Sequence, residues 1–176
     1  MTPKDRRNRL FKDFKPVVRP LAVNGEIDPD DQKYLYAAYK EQGGELDDPQ
    51  EVIANMITMM AEFDLAFFVD DQSKSFKKGH GPVGIVGAMY NGWEFQPHVT
   101  WLPWANKMNK LRAVVGILMY CRYNKDAGIS IIKTLEDDRQ FFKKLKKYAP
   151  IYGDYKIPHG DHRGDQYIFY VRGKKE

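Results

Sequence analysis

The spacing of apolar residues changes several times along this chain, and that succession constrains its fold more than any other feature. The pairs Asp28-Pro29 and Asp48-Pro49 each place a capping carboxylate before a proline, and apolar residues recur at helical spacing after both. From Leu65 onwards the apolar runs become short, and Asn91-Gly92 is the strongest hairpin-turn signal in the chain. The first half is therefore predicted to hold two helices followed by strands.

The second half alternates between helical and strand patterns. A long amphipathic helix is predicted to bury a stripe made of Met108, Leu111, Val114, Val115, Leu118 and Met119. Further elements are predicted as a strand over Ile129–Lys133, a helix over Glu136–Tyr148, and strands over Ile151–Ile157 and Gln166–Val171. The order β-α-α-β-β-β-α-β-α-β-β predicts an α/β fold with a mixed sheet and helices on both faces.

Prolines limit the hydrogen bonding of two predicted strands. Val17 and Val18 lie in a short apolar run that Pro16 and Pro20 interrupt, which is typical of an edge strand. Pro97 lies in the return strand of the hairpin and has no N–H to donate. We therefore expect that strand to be bulged or unpaired at Pro97.

Composition narrows the class of protein. The 176 residues are 43% apolar, which suits one domain, and no apolar run approaches the length of a membrane span. Cys121 is the only cysteine, so an internal disulfide is excluded, and we expect it to be a core residue. Met56, Met59 and Met60 are also expected to be core residues. A cytoplasmic protein is predicted.

The net charge of +4 is unevenly distributed. Residues 1–15 are predicted to form a basic arm outside the domain, which spans residues 16–176. Leu10, Phe11 and Phe14 alternate with the basic residues of the arm, as in a short helix that docks on a partner; a frayed terminus is the alternative. The lysines of residues 143–147 suit either nucleic acid or a solvated surface.

Two segments carry a resemblance to a known family. Residues Pro82–Gly87 are similar to the third strand of the GNAT fold, the architecture of CoA-dependent N-acetyltransferases. Residues Asp138–Tyr155 resemble the final helix of that family and the strand after it. The resemblance spans about Val17 to Arg172 and implies a GNAT-like, mostly antiparallel sheet.

The family resemblance implies a turn before the long helix whose backbone N–H groups hold the pyrophosphate of CoA. The corresponding residues 102–111 contain no glycine, whereas such turns are typically rich in glycine. If acetyl-CoA binds, the candidate residues are Trp104, Asn106, Lys107 and Lys110. In the other interpretation, Trp101 and Trp104 fill the groove and no cofactor binds.

The resemblance also implies a tyrosine in the final helix as proton donor to the departing thiolate. Phe142 occupies that position, and Tyr148 lies six residues further on, nearly opposite around a helix. Glu94 and His98 are the candidates for a general base. A surface role for each is the alternative.

A narrower resemblance concerns residues 97–105 and 160–165, which are similar to segments of GNAT-like proteins encoded by tailed bacteriophages. It implies a virion-associated structural or ejection-associated protein without a cofactor, found in the host cytoplasm or the virion. Such a protein would contact other phage structural proteins, with residues 1–15 as the candidate contact. A divergent acetyl-CoA-dependent N-acyltransferase is the alternative, and a nucleic-acid-binding module is a third reading.

One group of metal-ligand residue types lies before the last strand. It consists of His159, Asp161, His162 and Asp165. Because Pro158, Gly160 and Gly164 interrupt the group, we expect a polar loop without a metal.

Overall fold

The computed structural model describes residues 1–10, 16–71, 81–124 and 128–172. The helices are α1 (Pro3–Leu10), α2 (Pro29–Glu41), α3 (Pro49–Met60), α4 (Lys107–Asn124) and α5 (Glu136–Leu145). The strands are β1 (Pro16–Pro20), β2 (Leu65–Asp71), β3 (Pro82–Tyr90), β4 (Glu94–Trp101), β5 (Ile129–Leu135), β6 (Ile151–Asp161) and β7 (Gly164–Arg172). From β1 onwards the element order is the predicted one.

The seven strands form one sheet in the order β1-β2-β3-β4-β5-β7-β6. All neighbouring pairs are antiparallel except β4 and β5, which are parallel. The predicted mixed, mostly antiparallel α/β sheet is confirmed. So is the edge position of the strand at Val17 and Val18, because β1 ends the sheet.

The helices α2 and α3 begin where the Asp-Pro pairs predicted. The Asp28 carboxylate accepts a hydrogen bond from the N–H of Asp30 at 2.8 Å, and the Asp48 carboxylate accepts one from the N–H of Gln50 at 2.7 Å. Each bond satisfies an amide that has no partner within its own helix. Both helix starts are therefore determined by local sequence.

Helices cover both faces of the sheet, as predicted. On one face, Phe68 of β2 is buried together with Leu35 of α2 and residues of α3. On the other face, its neighbour Phe67 is buried together with Ile117 of α4. Phe169 of β7 packs on that second face, in one cluster with residues of α4 and α5. Alternate residues of one strand thus belong to different cores.

Four local predictions are corrected. Met108 is 47% exposed because it lies in the first turn of α4, outside the buried stripe, and Met59 is 42% exposed on the outer side of α3. The last helix ends at Leu145, and turns follow it to Tyr148. The expected loop over 158–165 is instead the end of a hairpin, since β6 runs to Asp161 and β7 begins at Gly164. The side chain of Cys121 lies outside those the structure describes, as does that of Asp161.

Of the two alternatives expected at Pro97, the bulge is absent, whereas β4 is unpaired there on the side of β5. The register of β3 and β4 runs without a shift from Gly84↔Trp101 to Tyr90↔Phe95, with Pro97 opposite Ala88. Within the described ranges, no helix is long and apolar enough to cross a membrane.

Candidate functional site

The two parallel strands β4 and β5 pair only at their first residues and then separate. Their register consists of Glu94↔Ile129 and Phe95↔Ser130. A cavity of about 280 Å³ lies where the strands diverge, and we call it the cleft cavity. Its lining residues are Pro97, His98, Val99, Trp101, Val114, Ile117, Leu118, Ile132, Lys133, Thr134, Asp138, Phe141 and Phe142.

Pro97 explains why the strands separate. The N–H of Leu102 donates to the carbonyl of Val83 at 3.0 Å, and hydrogen-bonded pairs alternate along an antiparallel ladder. Pro97 therefore belongs to a pair that exchanges no hydrogen bonds with β3, and its nitrogen points toward β5. Because this nitrogen carries no hydrogen, the pairing of β4 with β5 cannot continue there.

The same alternation directs the backbone groups of Val99 and Trp101 away from β3 and into the cleft cavity. A strand edge of this kind presents N–H and C=O groups that an extended ligand can pair with. The cavity wall thus offers main-chain recognition as well as apolar side chains.

His98 lies at the exposed mouth of the cleft cavity, on the face of the sheet that α2 and α3 cover. Its imidazole packs against Phe63, with 5.5 Å between ring centroids. Phe63 can lie there because Gly87 is paired with His98 and has no side chain; a Cβ on Gly87 would come within 2.3 Å of the Phe63 ring. Partial burial lowers the pKa of His98 below its usual value, and the ammonium of Lys133 lowers it further. The neutral imidazole, which can accept a proton, is therefore favoured at neutral pH.

Glu94, the other candidate base, lies at the closed end of the cleft, where β4 and β5 are still paired. The side-chain amide of Gln96 donates to its carboxylate. Glu94 does not occur among the described residues that line the cleft cavity. The structure thus separates the two candidates and brings only His98 to the cavity.

Asn106 caps α4 at the turn where the resemblance places the pyrophosphate. Its side-chain oxygen accepts hydrogen bonds from the N–H groups of Met108 and Asn109, both at 2.9 Å. The Asn109 side chain accepts in return from the N–H of Asn106 at 3.1 Å. The capping side chain therefore occupies two of the amides that would otherwise face an anion.

Two lysines lie in the first turn of α4. Lys110 places its ammonium 5.7 Å from the centroid of the Trp101 ring, and Trp101 lines the cavity. Lys107 begins α4 and is exposed. These lysine side chains could hold the phosphates of a ligand. The backbone N–H groups at the start of α4 are less able to do so, because the Asn106 side chain accepts hydrogen bonds from two of them.

Trp104 lies elsewhere. Its indole N–H donates to the carbonyl of Pro82 at 2.8 Å, and its ring packs edge-on against Tyr34 with centroids 6.0 Å apart. These contacts belong to the core under α2 and α3. Trp101 therefore forms a wall of the cleft, while Trp104 supports the opposite face.

The position of the expected proton donor is apolar. Phe142 of α5 lines the cleft cavity and stacks on Phe169, with 5.7 Å between centroids. Tyr148 follows α5 and lines a different cavity. The described lining of the cleft cavity contains no tyrosine.

Two charged lining residues, Lys133 and Asp138, were not among the site residues predicted from the sequence. Lys133 reaches the cavity because β4 and β5 separate, and the local sequence does not predict where two strands separate. The sequence signal for a role of Lys133 was its position as a single cation in an otherwise apolar strand. No group of three metal-ligand side chains converges in the described part of the chain. The Asp165 carboxylate instead pairs with Lys156 at 2.5 Å and accepts from the N–H of His159.

Comparison with known structures identifies the fold. A chimera of the spermidine N-acetyltransferase SpeG from Vibrio cholerae and hSSAT superimposes with a TM-score of 0.62 at 10% identity, covering 89% of this chain and 95% of that one. A GNAT-family acetyltransferase from Bacillus anthracis gives 0.59 at 13% identity, covering 90% and 97%. Another from Bacillus cereus gives 0.58 at 12% identity, covering 92% and 99%. The chain has the GNAT fold.

The sequence matches no protein-family model, and no curated protein matches it. The predicted phage-encoded virion subunit is nevertheless wrong, since the structures that the chain resembles are acetyltransferases and nothing in the comparisons points to a phage. The predicted acetyltransferase-like fold is confirmed.

Proposed function

We propose that this protein transfers an acyl group from acyl-CoA to an amine. The observation that carries the proposal is the cleft cavity: a parallel strand pair opened at Pro97, with His98 at its mouth. The acetyltransferases that share the fold are consistent with this chemistry.

The chain's own groups suit the binding half of that reaction. The backbone of Val99 and Trp101 offers the edge for an extended amide-containing arm. Lys107 and Lys110 supply the charge for the phosphates, in place of the amides that Asn106 occupies. Acyl-CoA would bring the activated thioester; the protein would bind, orient and shield it.

His98 suits the role of general base. Its neutral imidazole, open to solvent at the cavity mouth, can take a proton from an incoming ammonium group and leave the amine nucleophilic. Phe142 has no proton to give, so the proton for the departing sulfur comes from water in this proposal.

The charges at the cavity also bear on the acceptor. Lys133 adds a cation beside His98, and Asp138 is the only carboxylate among the described lining residues. Lys133, which lies close enough to His98 to lower its pKa, would repel further positive charges near the reacting amine of an acceptor. We therefore propose an acceptor with a single amine, unlike the spermidine named for the Vibrio cholerae structure.

The test is an assay of thiol release from acetyl-CoA with a panel of monoamine acceptors. The Lys107→Ala/Lys110→Ala double variant should raise the Kd for acetyl-CoA about tenfold, or about 1.4 kcal/mol. Lys33→Ala/Lys144→Ala removes two exposed lysines elsewhere and should leave the Kd unchanged. Absence of any acetyl-CoA binding in the parent protein would remove the proposal.

A further inference from the structure

One face of the strands β5, β7 and β6 carries three tyrosines and no helix in the described part of the chain. Alternate residues of β7, among them Phe169 and Val171, are buried in the cluster with α4 and α5. The residues between them, among them Tyr170, point to the other face of the sheet. The core cluster under α2 and α3 contains no described residue of these three strands, so those helices leave this face uncovered.

The strand registers assemble the three tyrosines on this face. Tyr152 lies opposite Tyr170, and Tyr155 lies opposite Ile168, two residues away from Tyr170 on β7. The ring centroids of Tyr152 and Tyr170 are 5.6 Å apart, and those of Tyr155 and Tyr170 are 6.4 Å apart with planes parallel within 6°. Tyr155 is 61% exposed and Tyr152 is 46% exposed. We call the three tyrosines together with Arg172 the tyrosine face.

An irregularity in β6 brings Tyr155 to the tyrosine face. Tyr152 and Tyr155 are three residues apart, so in a regular strand their side chains would point to opposite faces. The register shifts between Gly153 and Tyr155, and Gly153 and Asp154 both have positive φ, at 83° and 124°. The Asp154 carboxylate accepts a hydrogen bond at 2.8 Å from Arg139 of α5, on the covered face. A backbone conformation that is uncommon for a non-glycine residue thus accompanies the placement of two tyrosines on one side.

Two cations border the three rings. The Arg172 guanidinium lies 5.7 Å from the ring centroid of Tyr152 and 5.8 Å from that of Tyr170. Lys133 of β5 is exposed and lies opposite Ile168, one row further along the face. Within the described ranges, neither cation forms an ion pair.

Carboxylates are absent from the described side chains of this face. Residues 129–135, 152–157 and 166–172 contain one acidic residue, Asp154, and its carboxylate pairs with α5 on the covered face. The face therefore combines exposed aromatic rings with positive charge and attracts anions. We propose that the tyrosine face binds single-stranded nucleic acid.

Single-stranded nucleic acid is the class of ligand that uses both features of this face. Unpaired bases stack on aromatic side chains, and the phosphates between them pair with nearby cations. The Arg172 guanidinium matches phosphate oxygens with paired N–H donors. A second copy of this chain fits less well, because it would bring a second Arg172 and a second Lys133 to the same surface, and like charges repel.

The test is fluorescence anisotropy of the full chain with a labelled oligothymidylate of about 12 nucleotides at low salt. The parent should bind this strand more tightly than a duplex of the same length, because the bases of a duplex are not free to stack on tyrosine. Tyr152→Val/Tyr155→Val keeps strand-forming residues but removes both rings, and it should weaken binding at least about tenfold. The matched control Tyr152→Phe/Tyr155→Phe keeps both rings and should change the Kd less than about threefold.

The salt dependence tests the role of Arg172. Arg172→Gln should reduce the slope of log Kd against log salt concentration by about 0.7, the value expected for one phosphate contact on a single strand. Lys144→Gln removes an exposed charge from α5 on the covered face and should leave the slope near that of the parent. An oligouridylate of the same length shows whether RNA or DNA is preferred. Circular dichroism and thermal melting establish that each variant is folded.

Equal binding by the parent and the valine variant, or no binding by the parent, would overturn the proposal. Analytical ultracentrifugation tests the other occupant. A dimer of the parent that Tyr152→Val/Tyr155→Val dissociates, without oligonucleotide binding, would assign the face to a second copy and also overturn the proposal. The three tyrosines are not among the described residues that line the cleft cavity, so these results do not depend on the proposed acyl transfer.

Discussion

The ring of Phe142 on α5 stacks on the ring of Phe169 on β7, with 5.7 Å between their centroids, at the wall of the cleft cavity. A Phe142→Tyr substitution adds a hydroxyl to this wall without removing the ring contact. Since proton donation by a positioned side chain typically accelerates a reaction about 10²-fold or more, we expect kcat for acetyl transfer to rise at least about tenfold.

Phe141→Tyr is the matched control for that change. It adds the same hydroxyl at another point in the lining of the cleft cavity, one residue along α5 and about 100° around the helix, and so tests whether the position of the hydroxyl matters; we expect kcat to change less than twofold. Steady-state kinetics with saturating acetyl-CoA measure both variants. An unchanged kcat in Phe142→Tyr, with acetyl-CoA binding intact, would show that proton donation at this position does not limit turnover.

Removal of the His98 imidazole should abolish the rise of kcat/KM with pH on the acid side of its pH profile. Partial burial lowers the pKa of His98 below 6.5, so kcat/KM should rise as the pH rises through that lowered value and level off by neutral pH. His98→Gln should lower kcat/KM about 10²-fold and flatten this limb.

Phe63→Ala is a second test of whether His98 is the titrating base. It exposes the imidazole, so the pKa of His98 should return toward its usual value and the limb should move to higher pH. A limb that persists unaltered in His98→Gln would assign the titration to another residue.

Asn106→Gly should strengthen acetyl-CoA binding. The substitution frees the N–H groups of Met108 and Asn109, which the Asn106 side chain now occupies, and it costs only a few tenths of a kcal/mol at a helix cap. Titration calorimetry should give a Kd about threefold lower or better. Asp48→Gly makes a comparable change at the start of α3 and should leave the Kd unaltered. A higher Kd in Asn106→Gly would mean that the capping side chain of Asn106 itself organises the binding site.

The acceptor preference follows from the cation at the cavity mouth. With Lys133 beside His98, kcat/KM should be higher for a simple monoamine than for spermidine, and Lys133→Gln should narrow the difference about tenfold. The ratio of the two kcat/KM values measures this. A preference for spermidine in the parent protein would contradict the proposed acceptor class.

The pairing of Asp154 with Arg139 should appear in acid denaturation. The hydrogen bonds from Arg139, 2.8 Å at the shorter, hold the pKa of Asp154 at about 2, below its unfolded value of about 3.9. The pair therefore stabilises the fold above the unfolded pKa, and that stability is lost as the pH falls from about 4 toward 2. Asp154→Asn should lower the Tm at neutral pH and flatten its fall over that range. Asp137→Asn, an exposed carboxylate on α5, should leave the Tm curve near that of the parent.

The elements were predictable where the signal is local. The caps at Asp28 and Asp48 are decided by three or four neighbouring residues, so their sequence pattern is sufficient. Pro97 was correctly expected to interrupt pairing, but the neighbouring strand it affects could not be predicted, because that depends on which side of β4 its nitrogen faces, and the phase of the β3–β4 ladder sets that side. The same proline, read in three dimensions, opens the cleft.

The site was predictable only in part. His98 was recognised as a candidate base by residue type, but its separation from Glu94 depends on where β4 and β5 diverge. Trp101 and Trp104 look equivalent in sequence, yet they lie on opposite faces of the sheet, because one ends β4 and the other follows the turn.

The most direct test of the central claim is isothermal titration of the purified protein with acetyl-CoA at low salt. A one-to-one isotherm is expected, because the cleft cavity exposes the edge of β4 and Lys110 holds its ammonium 5.7 Å from the ring of Trp101, which lines the cavity. A flat trace at high protein concentration would contradict the claim that this GNAT fold binds acyl-CoA.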